Sequence, residues 1–238
     1  MNLPRTAEGV LYLLPVWLGD AGGPELLPPA NIAVARQVKL FFCEHERTAR
    51  RMLRRMAADI DLDAIELLRL DTDTTPAELD RYALLLGTRD AAIISEAGMP
   101  AIADPGARLV ARAHRRGVAV LPLTGPSSLF LALAASGMNG QQFCFHGYLP
   151  RETARRRQQI KKLEQAAQRE GAQLFIETPY RNDALLTDLL EVLAPPTRLC
   201  LAVNLEQPDA SVITRTVGEW RKARPTLGKR PCVFIVGK

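Results

Sequence analysis

Five side chains able to take up a proton stand where hydrophobic runs of the chain end: Asp20, Glu44, His45, Glu96 and Glu177. A carboxylate or imidazole so placed can remove a hydroxyl proton as a general base, typically worth ~10²–10⁴-fold in rate. Two glycine–proline loops lie among them. SEAGMPAIADPG (95–106) follows the apolar run AAII, and TGPSSL (124–129) follows VAVLPL. Glycine admits close approach of the backbone, proline fixes the loop, and the helix that follows begins with unpaired amides. Two such loops predict a pocket built largely from main chain, of the kind that suits a nucleoside-like cofactor. Each loop also fits the plainer reading of an ordinary strand-to-helix turn. Asp104, directly before Pro105, reads first as a helix N-cap.

The elements that must position these residues alternate. Strands are expected at 10–16, 39–43, 64–70, 91–95 and 118–123, with helices at 29–38, 45–58, from Pro76 to near Gly87, and from Asp104–Pro105 to Gly117. Thr75-Pro76-Ala77-Glu78 has the form of a capping box with proline at the first helical position. Pro126 opens the apolar helix SLFLALAAS. Further strands are expected at 143–146, 172–176, 198–204 and 231–236, with helices at 152–170 and 180–193. A strand at 211–217 is expected to pair antiparallel. Strands and helices alternating at these lengths imply parallel pairing with helices on both sheet faces. The chain, 238 residues long, is read as two α/β domains, 1–122 and 123–238.

Composition excludes several classes. The longest apolar stretch falls short of the roughly 18 residues that cross a bilayer. The start, MNLPRTAEG, lacks the pattern of a signal peptide, so a cytoplasmic location is expected. Cys43, Cys144, Cys200 and Cys232 are widely separated in apolar runs and form no C-x-x-C. His45, His114 and His146 lack ligand spacing, so no metal is expected and the thiols read as reduced and buried. Charge is uneven: residues 1–122 carry 15 Lys and Arg against 16 Asp and Glu, and residues 123–238 carry 16 against 10. The basic second half fits an anionic partner such as RNA. On the helix near 151–169, Arg151, Arg155, Lys162 and Arg169 share one stripe, and Arg47, Arg50, Arg51, Arg54 and Arg55 share a side of the helix from His45. Either stripe reads as a solvated face or as a phosphate-binding one.

Five motifs in a fixed order carry a family resemblance. SEAGMPAIADPG resembles S-D-A-G-T-P-x-I-S-D-P-G, and TGPSSL resembles P-G-P-S-A-L. GYLPR (147–151) resembles G-F-L-P-R, ETPYR (177–181) resembles E-S-P-H-R, and CEHERTARRML (43–53) resembles E-D-T-R-x-T-x-x-L-L. The chain thus resembles, over nearly its whole length, the tetrapyrrole methylase superfamily of S-adenosylmethionine-dependent methyltransferases, and within it the branch that methylates a ribose 2′-hydroxyl of 16S rRNA.

The resemblance implies two α/β domains of the tetrapyrrole methylase type, with a mostly parallel N-terminal sheet, a mixed C-terminal sheet, the cofactor in a cleft between the domains, and a homodimer. Carried over by position, Gly98, Met99, Pro100, Ile102, Ala103 and Asp104 would line the cofactor loop, with Ser127 and Ser128 at the second loop. Glu177, Thr178 and Pro179 would face the same cleft, and Asn204 and Pro231 would lie near similar strand ends. Glu44 and Glu96 are the candidate catalytic acids. The chain departs from the rRNA-modifying pattern in three places. Leu14 to Asp20 replaces T-P-I-G-N, and Gly19-Asp20 with Pro24-Glu25-Leu26-Leu27 resembles the G-D-P-E-L-L of corrin and porphyrin methylases. Glu44-His45-Glu46-Arg47 matches E-D-T-R only in part, and His146 stands where that branch has an acid. Three readings stay open: an RNA ribose methyltransferase, a methylase of the same fold acting on a tetrapyrrole or other small molecule, and an RNA-binding protein that keeps the fold without catalysis.

Overall fold

The computed structural model describes residues 9–238, and the stretch 1–8, read above for a targeting signal, lies outside them. The chain divides into two compact units that meet at Ser127 and Ser128. In the first unit the strands are β1 (Val10–Leu14), β2 (Leu40–Cys43), β3 (Glu66–Arg69), β4 (Ala91–Ile94) and β5 (Ala119–Pro122). Between them run α1 (Pro29–Gln37), α2 (Glu46–Met56), α3 (Pro76–Leu85) and α4 (Ala107–Arg115). Every pairing is parallel, in the order β3-β2-β4-β1-β5.

Alternation along the strands divides the core between two faces. Leu14, Phe41, Cys43, Ala92 and Ile94 pack with Ala35 of α1 and with Ala49, Met52, Leu53 and Met56 of α2. Leu11, Leu40, Phe42, Ala91 and Ile93 pack with Leu79 and Tyr82 of α3 and with Leu109 and Ala113 of α4. Such two-sided burial is why β2 and β4 read as unbroken apolar runs. The capping box at Thr75 and Glu78 forms, with the hydroxyl and the carboxylate each accepting from the other residue's amide. Because β1 lies between β4 and β5, its connection to β2 and that of β4 to β5 depart in opposite directions. That reversal puts a topological switch point at the carboxyl ends of β1 and β4, where open α/β sheets bind ligands.

The second unit opens with α5 (Ser128–Ser136) and continues β6 (Phe143–Tyr148), α6 (Thr153–Arg169), β7 (Ala172–Ile176), α7 (Asn182–Val192), β8 (Arg198–Val203), β9 (Ser211–Thr216), α8 (Val217–Lys222) and β10 (Cys232–Gly237). The sheet order is β6-β7-β10-β8-β9. Only β6 and β7 run parallel; the other pairs are antiparallel, so this sheet is mixed, and β9 pairs antiparallel with β8 as the sequence predicts. One face is covered by α6, α7 and α8, the other by α5.

Two expectations need correction. Thr216 and Glu219 form a second capping box that starts α8, an element absent from the sequence reading although T-x-x-E announces it. Cys144 is exposed on the edge strand β6, whereas the other three cysteines are buried as expected.

Beneath α6 one side chain of the charged helix is committed to structure. Arg156 is 7% exposed and gives its Nε hydrogen to Asp188 Oδ2 at 2.6 Å, while Arg157 Nε reaches Asp188 Oδ1 at 2.7 Å. Removing the acid leaves a buried guanidinium without its counter-charge. Asp188→Ala should therefore cost about 3–5 kcal/mol in urea unfolding, and a loss under about 1 kcal/mol would mean that water replaces the carboxylate.

Candidate cofactor and catalytic site

At the switch point the loops after β1 and β4 are joined by a reciprocal backbone pair. Val16 N donates to Gly98 O at 3.0 Å and Gly98 N donates to Val16 O at 3.1 Å. The buried Ser95 hydroxyl donates to the same Gly98 carbonyl at 2.7 Å. Gly98 sits at φ +68°, and a methyl group there would come within 2.9 Å of Leu18 Cδ2 and 3.3 Å of the Pro126 carbonyl. On Gly125 it would lie 2.3 Å from Pro15 Cγ. The three loops that follow β1, β4 and β5 are thus packed to a spacing that only glycine permits. The two glycine–proline turns are neighbours, and the wall they form is mostly main chain.

The loop around Asp104 is held by that side chain. Its Oδ1 accepts from Ala101 N at 3.1 Å and from Gly106 N at 2.7 Å. Helix α4 begins at Ala107 with Gly106 as its N-cap, so Asp104 stands ahead of the helix and ties the loop instead of capping α4. Ala101 and Ala103 adopt φ +66° and +56°, a left-handed conformation that L-residues rarely take. Ile102 and Ala103 are exposed, and Met99 is partly buried.

Acids collect beside this loop. Glu44 follows β2 half-buried, and burial, then Asp104 and Glu96, push its pKa up, against the lowering effect of His45. Burial also raises the pKa of Asp104, opposed by its two amide hydrogen bonds. His45 Nδ1 lies 2.7 Å from Glu96 Oε1. Cys43, at the end of β2, has its thiol pKa raised to about 12 by burial and by Glu46, Glu96 and Glu44, which keeps it protonated and unreactive. Asp20 lies in the loop after β1, where Arg55 bonds the Asp20 and Gly22 carbonyls and stacks over Trp17 with its CZ 4.6 Å from the ring centre.

On the second unit the expected residues again share one sheet edge. Glu177, Thr178 and Pro179 follow β7, Asn204 follows β8, and Pro231 precedes β10; β10 runs against both strands, so all five lie at the same end. Asn204 N donates to Pro231 O at 2.8 Å, and Asn204 adopts φ +54°. Glu177 is 5% exposed: its Oε1 accepts from Thr178 N at 2.6 Å and from Arg181, whereas Oε2 is buried without a hydrogen-bond partner. Asn182 Oδ1 is a second buried acceptor without a partner. Ser127 ends the first unit and Ser128 begins α5, both partly buried.

The structure brings Gly98, Met99, Pro100, Ile102, Ala103, Asp104, Glu44, His45 and Glu96 to one edge of the first unit, and Glu177 to Pro179, Asn204 and Pro231 to one edge of the second. The reading of residues one at a time missed the Val16–Gly98 pair and the His45–Glu96 pair. The first involves backbone atoms and leaves no mark in side-chain type. The second joins residues 51 apart that follow adjacent strands. The arginine stripe of α2 also changes meaning: Arg50, Arg54 and Arg55 bond main-chain carbonyls, leaving Arg47 and Arg51 as its exposed members without such bonds.

Residues 21–220 match the Tetrapyrrole (Corrin/Porphyrin) Methylases. The chain belongs to this family of S-adenosylmethionine-dependent methyltransferases. Its relatives include proteins named ribosomal RNA small subunit methyltransferase I. The one from Micromonospora olivasterospora is 33% identical over 215 residues, which is 90% of this chain and 65% of the relative. The one from Pseudomonas aeruginosa is 30% identical over 235 residues, 97% of this chain and 79% of the relative. The chain therefore spans only part of the length of each. Similar solved structures include the methyltransferase CobJ, with TM-score 0.61, 20% identity and coverage of 98% of this chain and 95% of that one. Another is uroporphyrin-III C-methyltransferase from Thermus thermophilus complexed with S-adenosyl homocysteine, with TM-score 0.54, 16% identity and coverage of 97% and 98%. At these identities the likeness establishes the fold.

Two outcomes are expected of this edge. Asp104→Ala should loosen the loop, costing about 1–2 kcal/mol in unfolding experiments as lost caps do, and Asp104→Asn should retain most of that, since its amide oxygen still accepts both hydrogens. Equal losses in the two variants would mean that the charge, not the acceptor, holds the loop. For Glu44, a folded-state pKa above its unfolded value means that ionisation costs stability. The cost is absent in acid and grows as pH rises through the raised pKa. Glu44→Gln should thus melt higher than wild type at pH 7, by roughly 1–3 °C, and no higher at pH 4; the reverse order would contradict the burial of the acid.

Proposed function

We propose that the protein transfers a methyl group from S-adenosylmethionine to RNA, at a ribose 2′-hydroxyl of 16S rRNA or a substrate like it. One observation carries this reading: the match to a relative named for rRNA methylation, at 30% identity, covers 97% of the chain and so extends over both units. The donor supplies an electrophilic methyl on a positively charged sulfur, with a nucleoside and an amino-acid tail. The residues fit that chemistry. The main-chain wall at Gly98 and Gly125 suits a flat nucleoside, and Glu177, at the strand edge of the second unit, is an acceptor suited to ribose hydroxyls or amino groups.

In this reading Gly98, Met99, Pro100, Ile102, Ala103 and Asp104, with Ser127 and Ser128, bind the donor. Glu177, Thr178, Pro179, Asn204 and Pro231 are carried as further donor-binding residues. The carboxylates Glu44 and Glu96 place negative charge near the cationic donor and belong to the group that handles the acceptor's proton. In-line displacement needs position above all, worth roughly 7–11 kcal/mol when donor and acceptor are held at near-attack distance. The exposed cations Arg151, just ahead of α6, and Arg155, Lys161, Lys162 and Arg169 of α6 supply phosphate contacts. A homodimer in the cytoplasm completes the proposal. No helix among the described residues is long and apolar enough to cross a membrane.

A second reading keeps the methyl donor and changes the acceptor to a tetrapyrrole, on the strength of Gly19-Asp20 and Pro24-Glu25-Leu26-Leu27 in the first loop. Incubation with methyl-labelled S-adenosylmethionine and, separately, 16S rRNA, 30S subunits and uroporphyrinogen III distinguishes them. Label is expected in RNA as a 2′-O-methyl nucleoside; label in the tetrapyrrole alone would replace the first reading by the second, and RNA binding without transfer would favour a non-catalytic binder. RNA affinity should fall at least tenfold between 50 and 200 mM salt, and Lys161→Gln with Lys162→Gln should lower the salt slope by about 1–2.

A further inference from the structure

His45 occupies the N-cap position of α2, with φ −131° and ψ 116°, yet its side chain makes no capping hydrogen bond. The imidazole is engaged elsewhere, through Nδ1 to Glu96 Oε1 at 2.7 Å. An ionised carboxylate only accepts, so Nδ1 must carry the hydrogen. In the neutral ring that leaves Nε2 with a lone pair, and among the described residues Nε2 has no hydrogen-bond partner. The side chains are 69% and 41% exposed, within reach of a macromolecular substrate at the rim of the strand edge. Their backbones follow β2 and β4, which are adjacent in the sheet, so the pair is anchored at both ends.

The neighbouring acids are less well placed to accept a proton. Asp104 Oδ1 is tied to two amides. Glu44 is half-buried, and Glu96 spends one oxygen on His45. Carboxylates gather on the elements that meet here: Glu44 and Glu46 on the same segment as His45, Glu96 after β4, Asp104 ahead of α4, and Asp71 after β3, the last paired with Arg69.

We propose that His45 is the general base of the methyl transfer and that Glu96 is its positioning residue, holding the ring with Nε2 toward the acceptor. This rests on the methyltransferase reading above. As the acceptor oxygen forms its bond to the methyl carbon, the carbon–sulfur bond breaks and its electron pair stays with sulfur. The hydroxyl proton passes to His45 Nε2 and from there to water, while Glu96 remains ionised throughout. Chemistry of this form needs no further reactant.

The test begins without substrate. With only three histidines in the chain, imidazole ¹⁵N spectra of the ligand-free protein can be assigned by substitution. His45 is expected as the Nδ1–H tautomer, and Glu96→Gln should redistribute it; a predominant Nε2–H tautomer overturns the proposal. Calorimetry with S-adenosylmethionine should give His45→Ala a Kd within about twofold of wild type. With RNA, that variant should lose about 10²–10³-fold in kcat, lose the acid limb of the wild-type pH profile, and regain part of its rate with added imidazole. Glu96→Gln should lose less and shift the limb to lower pH. Wild-type transfer with His45→Ala within threefold of it overturns the assignment alone. A wild-type protein that binds no S-adenosylmethionine overturns the functional reading, and this assignment with it.

Discussion

The two hydrogen bonds between Val16 and Gly98 fix the geometry of the first unit's edge. Loops after parallel strands usually depart independently toward the helices they feed. Here a two-residue antiparallel bridge fastens one loop to another across the switch point, and the third loop is seated by the fit of Gly125 against Pro15. The close spacing leaves little room for side chains, so the surface offered to a ligand is peptide. A surface of this kind is defined by amide and carbonyl directions, which tolerate change in residue type provided the glycines remain.

This constraint explains where the charge lies. The chain is basic overall, yet the first unit's strand edge is acidic: beyond the effect of burial, Asp104 and Glu96 push up the pKa of Glu44, and Glu96 that of Asp104. Like charges gathered at an edge cost stability, and the cost is intelligible when the bound partner is cationic. The second unit carries the basic surplus, but a charged residue is not automatically a surface contact. Arg156 lies under α6 with Asp188, and Arg221 spends its guanidinium on the Leu190 and Leu193 carbonyls.

Much of the fold was legible in the chain because its signals are local. Unbroken apolar runs mark two-sided strands, Thr75 and Glu78 mark the start of α3, and the alternation of short strands with helices marks a parallel sheet. The mixed second sheet was legible through the family resemblance, and only the antiparallel 211–217 strand through the residues. The site residues were legible as strand-end positions, which is a matter of sequence order. Their relations were not. Pairing of His45 with Glu96 depends on β2 lying beside β4, and no periodicity encodes strand order. The role of Asp104 was misjudged for a related reason: a proline after an acid suggests a cap, but α4 begins three residues later and the carboxylate turns back to Ala101. The orphaned Glu177 Oε2 follows from burial, which only packing determines.

The alanines at 101 and 103 have a consequence for how this loop could change over generations. Each holds a left-handed backbone at a strain of about 1–2 kcal/mol. Glycine would relieve that strain, but an unfolded chain with glycine has more conformations to give up, worth roughly 0.5–1 kcal/mol. The first exceeds the second by roughly 0.5–1 kcal/mol at each position, so glycine would make the loop modestly more stable. What also separates the two residue types is the breadth of backbone states open to the native loop: alanine narrows it and glycine widens it. Diversification at these two positions would therefore trade a small gain in stability against the definition of the loop's shape.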